Sequence, residues 1–131
     1  MSALSKTAAV IVTFNRSAKL MKVLDALDGQ TRRPDVILVV DNASTDDTRA
    51  LVEARARDDL SIRYLRLPQN IGGAGGFHEG LKAAYGLGAH YFWVSDDDAY
   101  PLPDAIERLV DAITAFEAKR PAFKPTITAD A

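Results

Sequence analysis

Three consecutive carboxylates, Asp96, Asp97 and Asp98, directly follow the aromatic apolar run HYFWVS at residues 90–95. No lysine or arginine stands beside them in the sequence, so their mutual repulsion calls for solvent or a bound cation. In an extended segment Asp96 and Asp98 point to one side and Asp97 to the other, which makes the outer pair candidate metal ligands. Hard carboxylate oxygens suit Mg2+ or Mn2+, and magnesium is commonly held by one or two carboxylates with water and phosphate oxygens filling the remaining positions. A nucleoside diphosphate would complete such a site. The plain alternative is a solvated acidic turn closing a strand.

A second acidic position ends another apolar run. Asp41 follows DVILVV at residues 35–40 and opens DNASTDD. Its carboxylate has two readings: an Asx turn leading into the next helix, or an acceptor for a base edge, with Asn42 and Ser44 shaping the turn. Between the two acidic positions lies QNIGGAGGFHEG at residues 69–80, a glycine-rich loop leading into a helix. Gly72, Gly73, Gly75 and Gly76 permit close ligand approach and offer backbone donors at a helix start, which favours anions. The segment is neither a Walker loop, which needs Gly-Lys-Ser/Thr, nor a dinucleotide fingerprint, because His78 takes the place of the final glycine. His78 and His90 lack metal-ligand spacing and read as ordinary loop and strand residues.

The elements that must position these groups alternate. Residues 8–13 (AAVIVT) form a first strand, and Leu20, Val23, Leu24 and Leu27 then recur at helical spacing, with Asn15 or Ser17 capping the start and Gly29 the end. The nearly continuous apolar run 35–40 implies a strand buried on both faces, hence a parallel sheet. Ser44 and Thr45 are expected to cap a helix running to about Arg57, and residues 62–67 make a third strand stopped by Pro68. Phe77, Leu81, Ala84 and Tyr85 mark the apolar face of the helix after the glycines. Residues 90–95 form the fourth strand, its aromatics read as core, and Ile106, Leu109, Val110, Ile113 and Phe116 mark an amphipathic last helix. The fold class is therefore α/β, a mostly parallel sheet with alternating helices. Ligands collect at the carboxyl ends of such strands, where Asp41 and the three aspartates meet.

Composition narrows the function. The chain has 131 residues, 47% hydrophobic and 26% charged, which suits one globular domain. Sixteen Lys+Arg against eighteen Asp+Glu give a net charge of −2, so no positive field draws in nucleic acid or an anionic membrane. With no cysteine, disulfides, thiolate catalysis and Cys-based metal sites are excluded. No segment is apolar over a membrane-spanning length and no signal pattern opens the chain, so a cytoplasmic protein is expected.

Taken together, AAVIVTFNR, VILVVDNASTDDT, LPQNIGGAGGFHEG and YFWVSDDDAYP resemble the N-terminal nucleotide-sugar-binding half of glycosyltransferase family 2, the inverting GT-A type, over residues 8–113. The resemblance implies the Rossmann-like half of a GT-A fold and a metal-assisted transfer of sugar from a nucleoside-diphosphate sugar to a glycan or lipid-linked acceptor, in cell wall or polysaccharide biosynthesis. It implies that Thr13, Asn15 and Asp41 lie on the nucleoside, that Asn70, Gly73 and Gly76 of the glycine segment also bind substrate, and that Asp96 and Asp97 lie near the sugar-nucleotide. Asp96 and Asp98 are the implied ligands of Mn2+ or Mg2+. The glycine segment is particularly similar to galactofuranosyltransferases of mycolic-acid bacteria and to some rhamnosyltransferases. Glu79 stands where relatives often carry an arginine.

In that family the acceptor-binding half and the general-base carboxylate follow the aspartate motif. The polypeptide is thus expected to be a fragment, with residues 1–120 as the nucleotide-sugar-binding domain, residues 121–131 as a loosely held tail with a short strand near 126–128, and the base beyond its end. Self-association through an uncovered sheet edge is expected, and the full-length protein would work at the inner face of the membrane. Two other classes compete. A noncatalytic nucleotide-binding module would bind without turnover. A receiver-type phosphoacceptor domain would need an acidic pair after the first strand, where this chain has Thr13-Phe14-Asn15-Arg16.

Overall fold

A computed structural model describes residues 6–119. The elements alternate as β1 (Thr7–Thr13), α1 (Ser17–Asp28), β2 (Val36–Asp41), α2 (Thr48–Asp58), β3 (Ile62–Arg66), α3 (Gly72–Gly86), β4 (Tyr91–Asp96) and α4 (Ala105–Lys119). The strands form one sheet in the order β3-β2-β1-β4, every pair parallel. This is the parallel α/β architecture expected from the continuous apolar runs, in the Rossmann-like form that the family resemblance implied, and every residue of β1 and β2 is buried. Register brings the acidic positions together at one edge: Thr13 pairs with Asp41 and Val12 with Asp96.

Alternate residues along each strand serve opposite faces. Ala9, Ile11, Ile37 and Val39 pack against α1, with Val52 of α2 and Ile106 and Val110 of α4. Ala8, Val10, Leu38 and Val40 face Ala84 of α3, with Phe77 and Leu81 beside it. Gln30, buried after α1, anchors the start of α4: its Nε2 donates to the Leu102 carbonyl at 2.7 Å, and its Oε1 accepts from the Ile106 amide at 3.1 Å.

The glycine segment departs from the sequence reading. It is helix from Gly72 onward, and the buried stripe is Gly76, Gly80 and Ala84, while Tyr85 stands 75% exposed. The glycines let α3 lie almost on the sheet: a Cβ at Gly76 would come within 2.7 Å of Val12 Cγ1, and one at Gly80 within 2.6 Å of Val10 Cγ1. Helical packing thus overrides glycine's poor propensity. Gly72 itself has φ +80°, which turns the chain into the helix.

Helix starts also differ. Neither Asn15 nor Ser17 caps α1, which begins at Ser17 after Arg16 without a side-chain cap. Ser44 and Thr45 do not cap α2, which begins only at Thr48 after Asp47, an N-cap without a side-chain bond; Asp46, just before it, accepts from the Thr48 amide at 3.0 Å and hydroxyl at 2.6 Å. Burial pushes the Asp46 carboxyl up, but these bonds outweigh it and hold it below its usual range. Asn15 instead joins two loops. Its amide donates to Ser44 Oγ at 2.9 Å, and its Oδ1 accepts from the amides of Thr45 at 2.7 Å and Asp46 at 3.3 Å. Asn15 (φ 50°) and Ala43 (φ 63°) are both left-handed. Asn15 offsets that with its bonds, whereas alanine has nothing to offer, at a cost of about 1 kcal/mol. Ala43→Gly should therefore stabilise the fold by about 0.5 kcal/mol, after allowing for glycine's freer unfolded chain. Urea denaturation checks it; a lowered midpoint would contradict the strain.

β4 is an outer strand. Trp93 packs partly buried against the α1 and α4 side of the core, but Phe92 and Val94 point the other way and are exposed, contrary to the reading of all these aromatics as core. Leu109 and Phe116 of α4 are half exposed. No helix among the described residues is long and apolar enough to cross a membrane. The expected tail and its short strand at 126–128 lie outside the described residues.

Candidate functional site

A cleft of about 510 Å³ opens at the carboxyl ends of β1, β2 and β4, within the size range of small-ligand sites. It gathers Thr13, Asn70, Gly73, Asp96, Asp97 and Asp98 from the residues singled out in the sequence. Gly72 and Asn42, which the sequence also marked, line it too, and Phe14 and Arg16 join them. Asn15, Asp41 and Gly76 do not line it.

Each wall has a local cause. β1 ends at Thr13, whose hydroxyl donates to Asp97 Oδ2 at 2.9 Å. After Asp96 the chain turns, burying Asp97 and leaving Asp96 and Asp98 exposed. The three aspartates lack a basic neighbour in sequence but not in space: Arg16 Nη1 lies 3.5 Å from Asp97 Oδ1 and 3.6 Å from Asp98 Oδ2. On the opposite side two asparagines fix the start of α3. Asn42 Nδ2 donates to the Gly72 carbonyl at 3.0 Å and its Oδ1 accepts from the Ile71 amide at 3.2 Å, while Asn70 Oδ1 accepts from the Gly72 amide at 2.8 Å. The remaining first-turn amides of α3 lack intrahelical partners, as at any helix start, and favour an anion.

Asp41 lies under this floor. It is fully buried, accepting from the Ser44 amide at 2.9 Å on Oδ1 and from the Tyr64 hydroxyl at 2.5 Å on Oδ2, with Arg66 Nη1 3.4 Å away. Its carboxylate thus bonds to the turn and to β3. Asn42, one residue further, reaches the cleft instead. Burial, then the bond to Asp41, pushes the Tyr64 hydroxyl up to about 12. Gly76 also serves from beneath, letting α3 approach Val12. Glu79 sits on α3 away from the cleft, and His78 is an exposed residue of the same helix rather than of a loop.

Among the described residues no three His, Cys, Asp or Glu side chains converge to enclose an ion. The donor set at the cleft mouth is two exposed carboxylates, Asp96 and Asp98. That fits a dication sharing its sphere with phosphate oxygens and water.

Fold and cleft together define a parallel α/β ligand-binding domain with an acidic, arginine-bridged site at its strand ends. The chain belongs to glycosyl transferase family 2, whose family model matches residues 8–119. Galactofuranosyltransferase GlfT1 of Mycobacterium tuberculosis (strain ATCC 25618 / H37Rv) is 42% identical over 92 residues, covering 70% of this chain and 30% of that protein. The GalNAc(5)-diNAcBac-PP-undecaprenol beta-1,3-glucosyltransferase of Campylobacter jejuni is 33% identical over 107 residues, covering 80% and 33%. Among solved structures, S. aureus TarS 1-349 in complex with UDP superimposes with a TM-score of 0.70 at 28% identity, covering 88% of this chain and 32% of that one. The chain spans about a third of the length of these curated relatives.

Proposed function

We propose that these residues form the donor-binding part of an inverting, metal-assisted glycosyltransferase that uses a nucleoside-diphosphate sugar. The observation that carries this reading is the cleft at the strand ends, with Thr13, Arg16 and the three aspartates on one wall and the start of α3 on the other. In this reading Thr13 and Asn42 contact the nucleoside, Asp41 and Asn15 shape the loops that receive it, and Asn70 and Gly73 present the α3 start to phosphate. Asp96 lies near the sugar, Asp97 stays tied to Thr13, and Asp96 with Asp98 holds Mn2+ or Mg2+. A dication held by these two carboxylates would neutralise charge on the diphosphate that departs when an acceptor hydroxyl attacks the anomeric carbon. We assign the general base to no residue of the cleft, since its one buried carboxylate, Asp97, is committed to Thr13 and Arg16.

Similarity to GlfT1, a galactofuranosyltransferase, favours galactofuranose as the sugar, ahead of rhamnose. A glycan or lipid-linked acceptor, in polysaccharide assembly at the inner face of a membrane, completes the reading. The exposed Phe92 and Val94 of the outer strand β4 support self-association of the chain. Calorimetry with UDP tests the central claim. Binding with Mn2+ present should weaken at least about tenfold when the ion is chelated, because the bare aspartates repel the phosphates. Equal affinity in chelator would sink it.

A further inference from the structure

Arg16 is the only cationic side chain lining the cleft among the described residues. It reaches both Asp97 and Asp98, yet the two pairs are unlike. Asp97 is 7% exposed and anchored by Thr13, while Asp98 is 47% exposed, and no other partner holds its carboxylate among the described residues. The guanidinium itself is half exposed, on a loop that Asn15 ties to the β2–α2 turn. Its backbone is therefore held while its head is free to exchange partners. In the free protein this single charge is what offsets the crowding of three aspartates. A dication at Asp98 would draw on the same carboxylate that Arg16 approaches through Oδ2, and its positive charge would repel the guanidinium there. The displaced guanidinium would then lie beside any bound diphosphate, and the planar fork of arginine pairs with phosphate oxygens as readily as with a carboxylate.

We propose that Arg16 is an internal counter-ion that competes with the dication for Asp98 and, when displaced, binds the ligand's diphosphate. This rests on the donor-site reading above. One side chain then has opposite effects on two ligands: it weakens metal binding in the free protein and strengthens nucleotide binding in the metal-loaded one. It also supplies a cation at the diphosphate where Glu79, turned away on α3, cannot.

The test is a pair of titrations on wild type, Arg16→Gln and Arg16→Lys, with thermal unfolding as a control of folding. Mn2+ alone, followed by electron paramagnetic resonance, should bind Arg16→Gln roughly two- to fivefold more tightly than wild type, the range expected for loss of a competing exposed ion pair. UDP at saturating Mn2+ should bind the same variant about tenfold or more weakly, as expected for a lost charge-assisted bond. Arg16→Lys should fall between on both axes. In an Asp98→Asn background the gain in Mn2+ affinity should vanish. An unchanged or weaker Mn2+ affinity in Arg16→Gln would overturn the proposal, and so would unchanged UDP affinity. Failure of wild type to bind UDP at all would overturn the donor-site reading, and the Mn2+ titration, which needs no nucleotide, would still decide the competition at Asp98.

Discussion

Asp41→Ala should lower the stability of the fold by about 3 kcal/mol, because the change orphans buried donors as well as removing a charge. The Ser44 amide, the Tyr64 hydroxyl and Arg66 all lose their acceptor; Ser44 is buried, whereas Tyr64 and Arg66 are partly open to water. Asp41→Asn, which keeps one oxygen, should lose less. Thermal unfolding without ligand decides the matter: an unchanged midpoint would mean that the carboxylate serves only a ligand. Tyr64 adds a dependence on pH. Its folded-state value of about 12 lies above the ordinary 10.0, so the folded protein holds this proton more tightly than the unfolded chain does. The contribution is whole below pH 10 and is lost as the pH rises toward 12. In Asp41→Ala that alkaline loss should shrink.

Gly80→Val should be at least as damaging, by about 3 kcal/mol or a fall of roughly 10 °C in Tm. Even a Cβ at this position would stand 2.6 Å from Val10 Cγ1 and 2.8 Å from Val40 Cγ2, both on fully buried residues of the two central strands. The neighbours cannot give way, so α3 must lift from the sheet. Gly73→Val provides the contrast, since a Cβ there meets nothing within 4 Å. If circular dichroism melts showed the two variants equally stable, the close approach of α3 would be refuted.

The parallel sheet was legible because burial on both faces writes continuous apolar runs such as VILVV, and parallel strands force their carboxyl ends to one edge. The meeting of Asp41 with the aspartate triplet at that edge followed directly. What escaped was set by contacts between distant residues. The glycine segment has the composition of a loop, and only the surfaces of Val10, Val12 and Val40 beneath it make small residues the fitting choice for a helix. Arg16 lies some 80 residues from its partners, so a search of the triplet's sequence neighbours could not find it. Its place in the turn after the first strand, at the edge where ligands collect, was the available signal. Asn42 carried the same signal, one residue past a buried strand. Asp41 drew the attention because it is charged; in the fold it accepts from Ser44 in the turn and from Tyr64 and Arg66 of β3.

Trp93, wedged in the seam between β4 and α4, is the only tryptophan in the chain and sits three residues before Asp96. Its indole N–H is buried without a partner among the described residues. Light emitted by this fluorophore therefore comes from one address, on the same rigid strand that ends in the cleft. Opening of the seam would wet the indole and shift its emission to the red. Occupancy at the strand's end would alter its intensity while leaving the seam closed. The domain thus carries its own optical reporter, one that separates filling of the site from loss of the fold without a label.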